Sequence, residues 1–185
     1  MADPVRLARH SPLIAALLED AGWVSPGRGG RPLYVIGFRS CGDTVRLKAA
    51  LFDDLIAAGV DIRLITIARP DQDGVAKSTA IERTTVAELW LHRSWALAER
   101  WERAPLADWT AEGVPPADGD SFRSLAVEAG RELIEALTPL LLDEGVTPDR
   151  FRYPTLIWPE WDGGWWGLVC EEAATWRVVR NVFGL

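Results

Sequence analysis

The feature that most constrains this 185-residue chain is a strand–helix–strand pattern over residues 33–67. Residues 33–38, Leu-Tyr-Val-Ile-Gly-Phe, form a near-continuous apolar run. Such a run suits a strand covered on both faces. After Arg39, Ser40, Cys41 and Gly42 the period changes. Val45, Leu47, Leu51, Phe52, Leu55 and Ile56 recur at helical spacing, and Gly59 is placed to end that helix. Residues 60–67 then read as a second strand, stopped by Arg69-Pro70. The unit spans under 40 residues. Its strands are therefore expected to run parallel, joined by a right-handed crossover. Cys41 falls where the first buried strand hands over to a helix.

The flanks add elements of both kinds. Ser11 as N-cap and Pro12 at the first helical position open a helix with Leu13, Ile14, Leu17 and Leu18 on one face, closed by Gly22. Residues 25–32 are a Gly- and Pro-rich loop. Residues 72–145 read as helical throughout. One helix covers 84–102, carrying Val86, Leu89, Trp90, Leu91, Trp95, Leu97 and Trp101, and Pro105 with the 113–119 segment breaks it. A second starts from Ser121 and runs through Phe122, Leu125, Leu133, Ile134 and Leu137, with Pro139 bending or restarting it. Residues 155–158 and 165–169 form a hairpin around a Pro-Glu-Trp-Asp-Gly-Gly turn, and 170–183 a last helix. The order is helix, β, α, β, helical block, hairpin, α. The fold class is α/β. An N-terminal helix and loop occupy 1–32, a core is built from 33–70 and 146–185, and an inserted helical subdomain fills 71–145.

Composition excludes several function classes. Twenty Lys and Arg stand against 27 Asp and Glu, a net charge of −7, with no basic stripe, so no nucleic-acid partner is expected. Two distant cysteines, Cys41 and Cys170, make no disulfide framework, and with only His10 and His92 they offer no zinc site. No apolar run reaches the length of a membrane span. Residues 13–18 are too short and too soon followed by Glu19 and Asp20 for a signal peptide. As written, the chain reads as cytoplasmic; it is periplasmic if an export signal has been removed.

A parallel βαβ unit followed by ββα resembles the thioredoxin-like plan. Within that superfamily the chain is similar to the catalytic domain of bacterial periplasmic Dsb-type disulfide isomerases. Residues 34–44 resemble that family's strand and Cys-x-x-Cys turn, residues 60–70 its second strand, and Tyr153-Pro154-Thr155 its Thr-Pro position before the next strand. The likeness covers about residues 33–183, with a longer helical insert and no N-terminal dimerisation domain. The sequence departs from the family at Cys41-Gly42-Asp43-Thr44, where the second cysteine is missing. The resemblance implies a central mixed sheet and a cis Pro154 beside Cys41. It also implies a thiol–disulfide oxidoreductase or isomerase that acts through one cysteine on a disulfide or a glutathione mixed disulfide.

The residues define the expected roles. A thiol at a helix N-terminus faces unpaired amides and the positive end of the helix dipole, which favour thiolate, the nucleophile. Cys41 is the candidate nucleophile. Thr44, three residues on, can aim its hydroxyl at the sulfur, and the backbone of Gly42, Asp43 and Thr44 adds donors. Arg39 and Arg46 can lend positive charge, while the Asp43 carboxylate opposes ionisation. Tyr153 and Pro154 are the substrate guides, offering backbone to an extended peptide or to glutathione. No cofactor is expected, with glutathione as a co-substrate, and the partner is a protein or peptide thiol or disulfide. A single thiol cannot resolve its own mixed disulfide. Cys170 is read as a small buried residue away from the active edge. Among the Trp residues, Trp158 and one of Trp165 and Trp166 are assigned to the core and Trp161 to the surface. His92 and the Asp53-Asp54 pair are assigned no chemistry. The alternative function is a redox-inactive thioredoxin-like module that binds a protein through the same edge and the Trp-rich hairpin. A glutathione transferase is disfavoured because no all-helical domain follows the fold.

Overall fold

A computed structural model describes residues 3–185. Five strands form one mixed sheet: β1 (Val5–Leu7), β2 (Pro32–Gly37), β3 (Asp61–Thr66), β4 (Thr155–Pro159) and β5 (Trp165–Val169). Their spatial order is β1-β5-β4-β2-β3. β2 and β3 run parallel, from Pro32 opposite Asp61 to Gly37 opposite Thr66. β4 lies antiparallel to β2, β5 to β4, and β1 to β5. The helices are α1 (Ser11–Asp20), α2 (Gly42–Ala57), α3 (Ala80–His92), α4 (Trp95–Arg103), α5 (Ser121–Asp143) and α6 (Ala173–Phe183).

The continuous apolar runs are explained by burial on both faces. Leu33 and Val35 of β2 join Leu47, Leu51 and Leu55 of α2 and Val179 of α6 in one cluster. Tyr34 and Ile36 point the other way, into a cluster with Ile14 and Leu18 of α1 and Leu133, Leu137 and Leu141 of α5. Alternation of side chains along a strand makes the two clusters inevitable once both faces are covered. Helices therefore lie on both sides of the sheet.

Several elements differ from the sequence reading. The stretch read as one helix over 84–102 is two, because Arg93 takes a left-handed conformation with φ of 50°. Its guanidinium donates to the Ala21 carbonyl at 3.0 Å and lies 4.5 Å from the Trp23 ring, and Ser94 caps the new helix through the Leu97 amide. α1 has His10 rather than Ser11 at its N-cap. α5 is capped by Asp120 and runs unbroken past Pro139. The last helix begins at Ala173, leaving Cys170 outside it. β1 is a strand that three residues with Arg6 at the centre could not announce. Gly22 serves a close approach: a Cβ there would lie 2.6 Å from the Trp90 Cα. The helices of 71–145 share the core: α3 and α4 join the α2 cluster and the C-terminal half of α5 the α1 cluster.

The topology sorts the ends of the sheet. The C-terminal ends of β2, β3 and β5 and the N-terminal end of β4 meet at one edge. The β4–β5 turn lies at the other, where Arg31 donates to the Pro159 carbonyl at 2.9 Å and pairs with Glu160 at 2.8 Å.

Candidate functional site

Cys41 is the N-cap of α2, in extended conformation, and its carbonyl accepts the Val45 amide at 3.0 Å. The residue is half-buried. Its thiol donates to the Tyr153 carbonyl at 3.8 Å, across 112 residues of chain. The Tyr153–Pro154 peptide bond is cis, as the resemblance implied. Tyr153 is held by its ring, which packs at 5.0 Å against both Phe38 and Phe151. Burial pushes the Tyr153 phenol well above its ordinary range, so the ring is a neutral wall. Pro154 is anchored from the other side, its carbonyl accepting the Cys170 amide at 2.9 Å. The structure thus brings Cys41, Gly42, Asp43, Tyr153 and Pro154 together at one edge.

Thr44 is placed differently from its expected role. It is fully buried against Gly37, and its hydroxyl has no hydrogen-bond partner. The first turn of α2 rotates it onto the sheet, away from the service of the sulfur. Arg39 is also committed elsewhere. Its buried guanidinium donates to the carbonyls of Trp101 (3.3 Å), Glu102 (3.1 Å) and Ala104 (2.8 Å), satisfying the open C-terminal end of α4. Arg46 does reach back: it pairs with Asp43 and passes over Gly42. That pairing offsets part of the negative charge that Asp43 puts beside the thiol. Behind the site, Lys48 is buried against Glu102 at 2.6 Å. Burial draws its ammonium below the ordinary range, and the carboxylate opposes that drop.

Cys170 lies nearer this edge than the sequence reading placed it. It follows β5 directly and hydrogen-bonds the same Pro154 that flanks the site. It is completely buried, with its sulfur 2.9 Å from the Thr175 hydroxyl. Burial pushes its thiol up to about 11, so it stays protonated. The reading of Cys170 as a small buried residue therefore stands while its expected location changes. Trp158 is buried and Trp161 is 86% exposed, but Trp161 is in the turn at the far end of the sheet. Cys41 and Trp161 therefore stand at opposite ends of β4.

Arg69 joins the site without having been singled out for it. Its guanidinium lies 4.4 Å over the Phe38 ring and 3.4 Å from the Ser40 hydroxyl. The available signal was topological: a residue just past one parallel strand shares an edge with the residue just past its neighbour. Among the described residues no group of three or more His, Cys, Asp or Glu converges to hold a metal ion, and no helix is long and apolar enough to cross a membrane.

No protein-family model matches the chain. No curated protein matches it significantly either.

Proposed function

We propose that this chain is a thioredoxin-like protein, akin to the Dsb-type isomerase catalytic domain, that exchanges disulfides through Cys41 alone. The observation that carries the reading is the Cys41 thiol at the start of α2, 3.8 Å from the Tyr153 carbonyl. The strand order β5-β4-β2-β3, with β4 alone running opposite to the other three, supports the same plan. The Tyr153 amide N–H has no hydrogen-bond partner among the described residues, which leaves it available to an extended substrate beside the sulfur.

In the exchange the Cys41 thiolate attacks one sulfur of a disulfide. A new S–S bond forms, the old one breaks, and the departing half leaves as a thiolate that takes a proton from water. Unlike a Cys-x-x-Cys protein, the chain has Thr44 at the resolving position. Release therefore requires an outside thiol, such as glutathione, to attack the mixed disulfide and regenerate Cys41. The reading is tested by incubating the full chain with glutathione disulfide and weighing the product. A glutathione adduct that vanishes in Cys41→Ser and is removed by added glutathione is expected. An unreactive folded Cys41 would point instead to the redox-inactive binding module.

A further inference from the structure

Beside the Cys41 loop, which contributes Ser40 but not Cys41 to its lining, is a cleft of about 730 Å³, bounded by the β3–α3 connection, the start of α3 and the end of α4. That volume is of the size that holds a small ligand. Its apolar wall includes Trp101, Leu106 and Trp109. Ser40, next to Cys41 in the chain, lies on the rim beside Arg69.

Four charged side chains line this cleft: Arg69, Lys77, Glu82 and Arg83. Two of them are committed elsewhere. The Glu82 carboxylate accepts the Thr79 amide at 2.8 Å in the capping box of α3. Arg83 holds Asp118 through two hydrogen bonds, one of 2.7 Å. Arg69 and Lys77 form no ion pair among the described residues, although acids outnumber bases 27 to 20 along the chain. Arg69 is fixed all the same. It lies on Phe38, and Phe38 packs edge-on to Tyr153, the residue whose carbonyl meets the thiol. A guanidinium held over a ring face is positioned by its carbon while its N–H donors stay free for a carboxylate. The capping box also leaves the Ala80 and Ile81 amides, both on the cleft wall, without helical partners.

We propose that this cleft is the substrate pocket of Cys41, and that Arg69 and Lys77 select a small disulfide bearing carboxylates. The inference rests on Cys41 as the exchanging thiol. The carboxylates lie against Arg69 and Lys77 while the near sulfur is presented to Cys41, and the far half leaves as a thiolate.

Exchange rates of the full chain are measured with two disulfides, glutathione disulfide as the anionic probe and 2-hydroxyethyl disulfide as the neutral one. In Arg69→Ala/Lys77→Ala the ratio of the anionic to the neutral rate is expected to fall about fivefold. The same fall is expected when salt is added to the wild type, through screening. Arg69→Lys, which keeps the charge and loses the fork, should fall between. An unchanged ratio overturns the proposal. A second arm uses Cys41→Ser, which cannot exchange, and titrates S-methylglutathione by calorimetry. Binding that disappears with Arg69→Ala/Lys77→Ala upholds the carboxylate pocket even if wild-type Cys41 proves unreactive. Exchange with both disulfides at an unaltered ratio, with no S-methylglutathione binding, sinks the pocket and leaves the Cys41 reading intact.

Discussion

The two cysteines finish at the same edge of one sheet in opposite surroundings. Cys41 follows β2 at the start of α2, half-buried, touching a backbone carbonyl from a distant segment. Cys170 follows β5 in a closed pocket with Thr175, completely buried. The same side chain becomes a candidate nucleophile in one place and packing material in the other. Access and the local field decide between them, since thiolate is the reactive form and burial suppresses it. Sequence distance says nothing about this: both cysteines flank the Tyr153–Pro154 segment, Cys41 donating its thiol to the Tyr153 carbonyl and Cys170 its backbone amide to the Pro154 carbonyl.

The contrast is broken most sharply by removing each thiol. Cys41→Ser is expected to abolish mixed-disulfide formation, whereas Cys170→Ser retains it; mass analysis after exposure to glutathione disulfide reads both. If Cys170→Ser also lost the adduct, the two sites would be a working pair and the buried assignment would fail.

Alkaline stability sharpens the comparison next. In the unfolded chain the Cys170 thiol ionises near 9.0, but in the fold burial holds it to about 11. The folded value is the higher, so the contribution to stability is complete below about 9 and lost as pH rises toward about 11. Its full size is about 3 kcal/mol, from 1.36 kcal/mol per unit. Denaturant midpoints across that window should fall more steeply for wild type than for Cys170→Ala. Tyr34 and Tyr153, also raised by burial, act in both proteins and cancel in the difference.

The packing around Thr44 gives the smaller effects. A Cβ on Gly37 would lie 2.7 Å from the Thr44 methyl, so Gly37→Ala should cost about 2 kcal/mol and displace the first turn of α2. Thermal unfolding measures the first consequence, and slower exchange at Cys41 the second. Thr44→Val should instead add about 1 kcal/mol, because it removes a buried hydroxyl with no partner at nearly constant shape. A loss of stability there would show that the hydroxyl has a partner in solution. Slower exchange in that stable variant would return Thr44 to a role at the sulfur.

Much of the frame was legible because it is local. The 33–67 pattern gave β2, α2 and β3 within a residue or two, since period and burial on both faces leave a direct trace in side-chain type. The hairpin and its turn were legible for the same reason. The break at Arg93 was not, because the interactions that hold it come from Ala21 and Trp23, far away in the chain. The same limit applies to side-chain direction near Cys41. Arg39 and Thr44 are close in sequence, but α4 claims one and the sheet the other.

The sequence by itself determined that a cysteine opens a helix after a buried parallel strand, because hydrophobic period and glycine placement are properties of adjacent residues. Only the tertiary structure decided what that cysteine meets. Tyr153 at the thiol, Arg69 at the neighbouring Ser40, and the α3–α4 cleft beside that loop come from segments whose pairing depends on three-dimensional packing, and that packing leaves no mark on residues 39–44 alone. It also set Cys170 beside Pro154 and sealed it, and moved Trp161 to the far end. Long-range contact, unlike local period, is chosen by the whole chain at once.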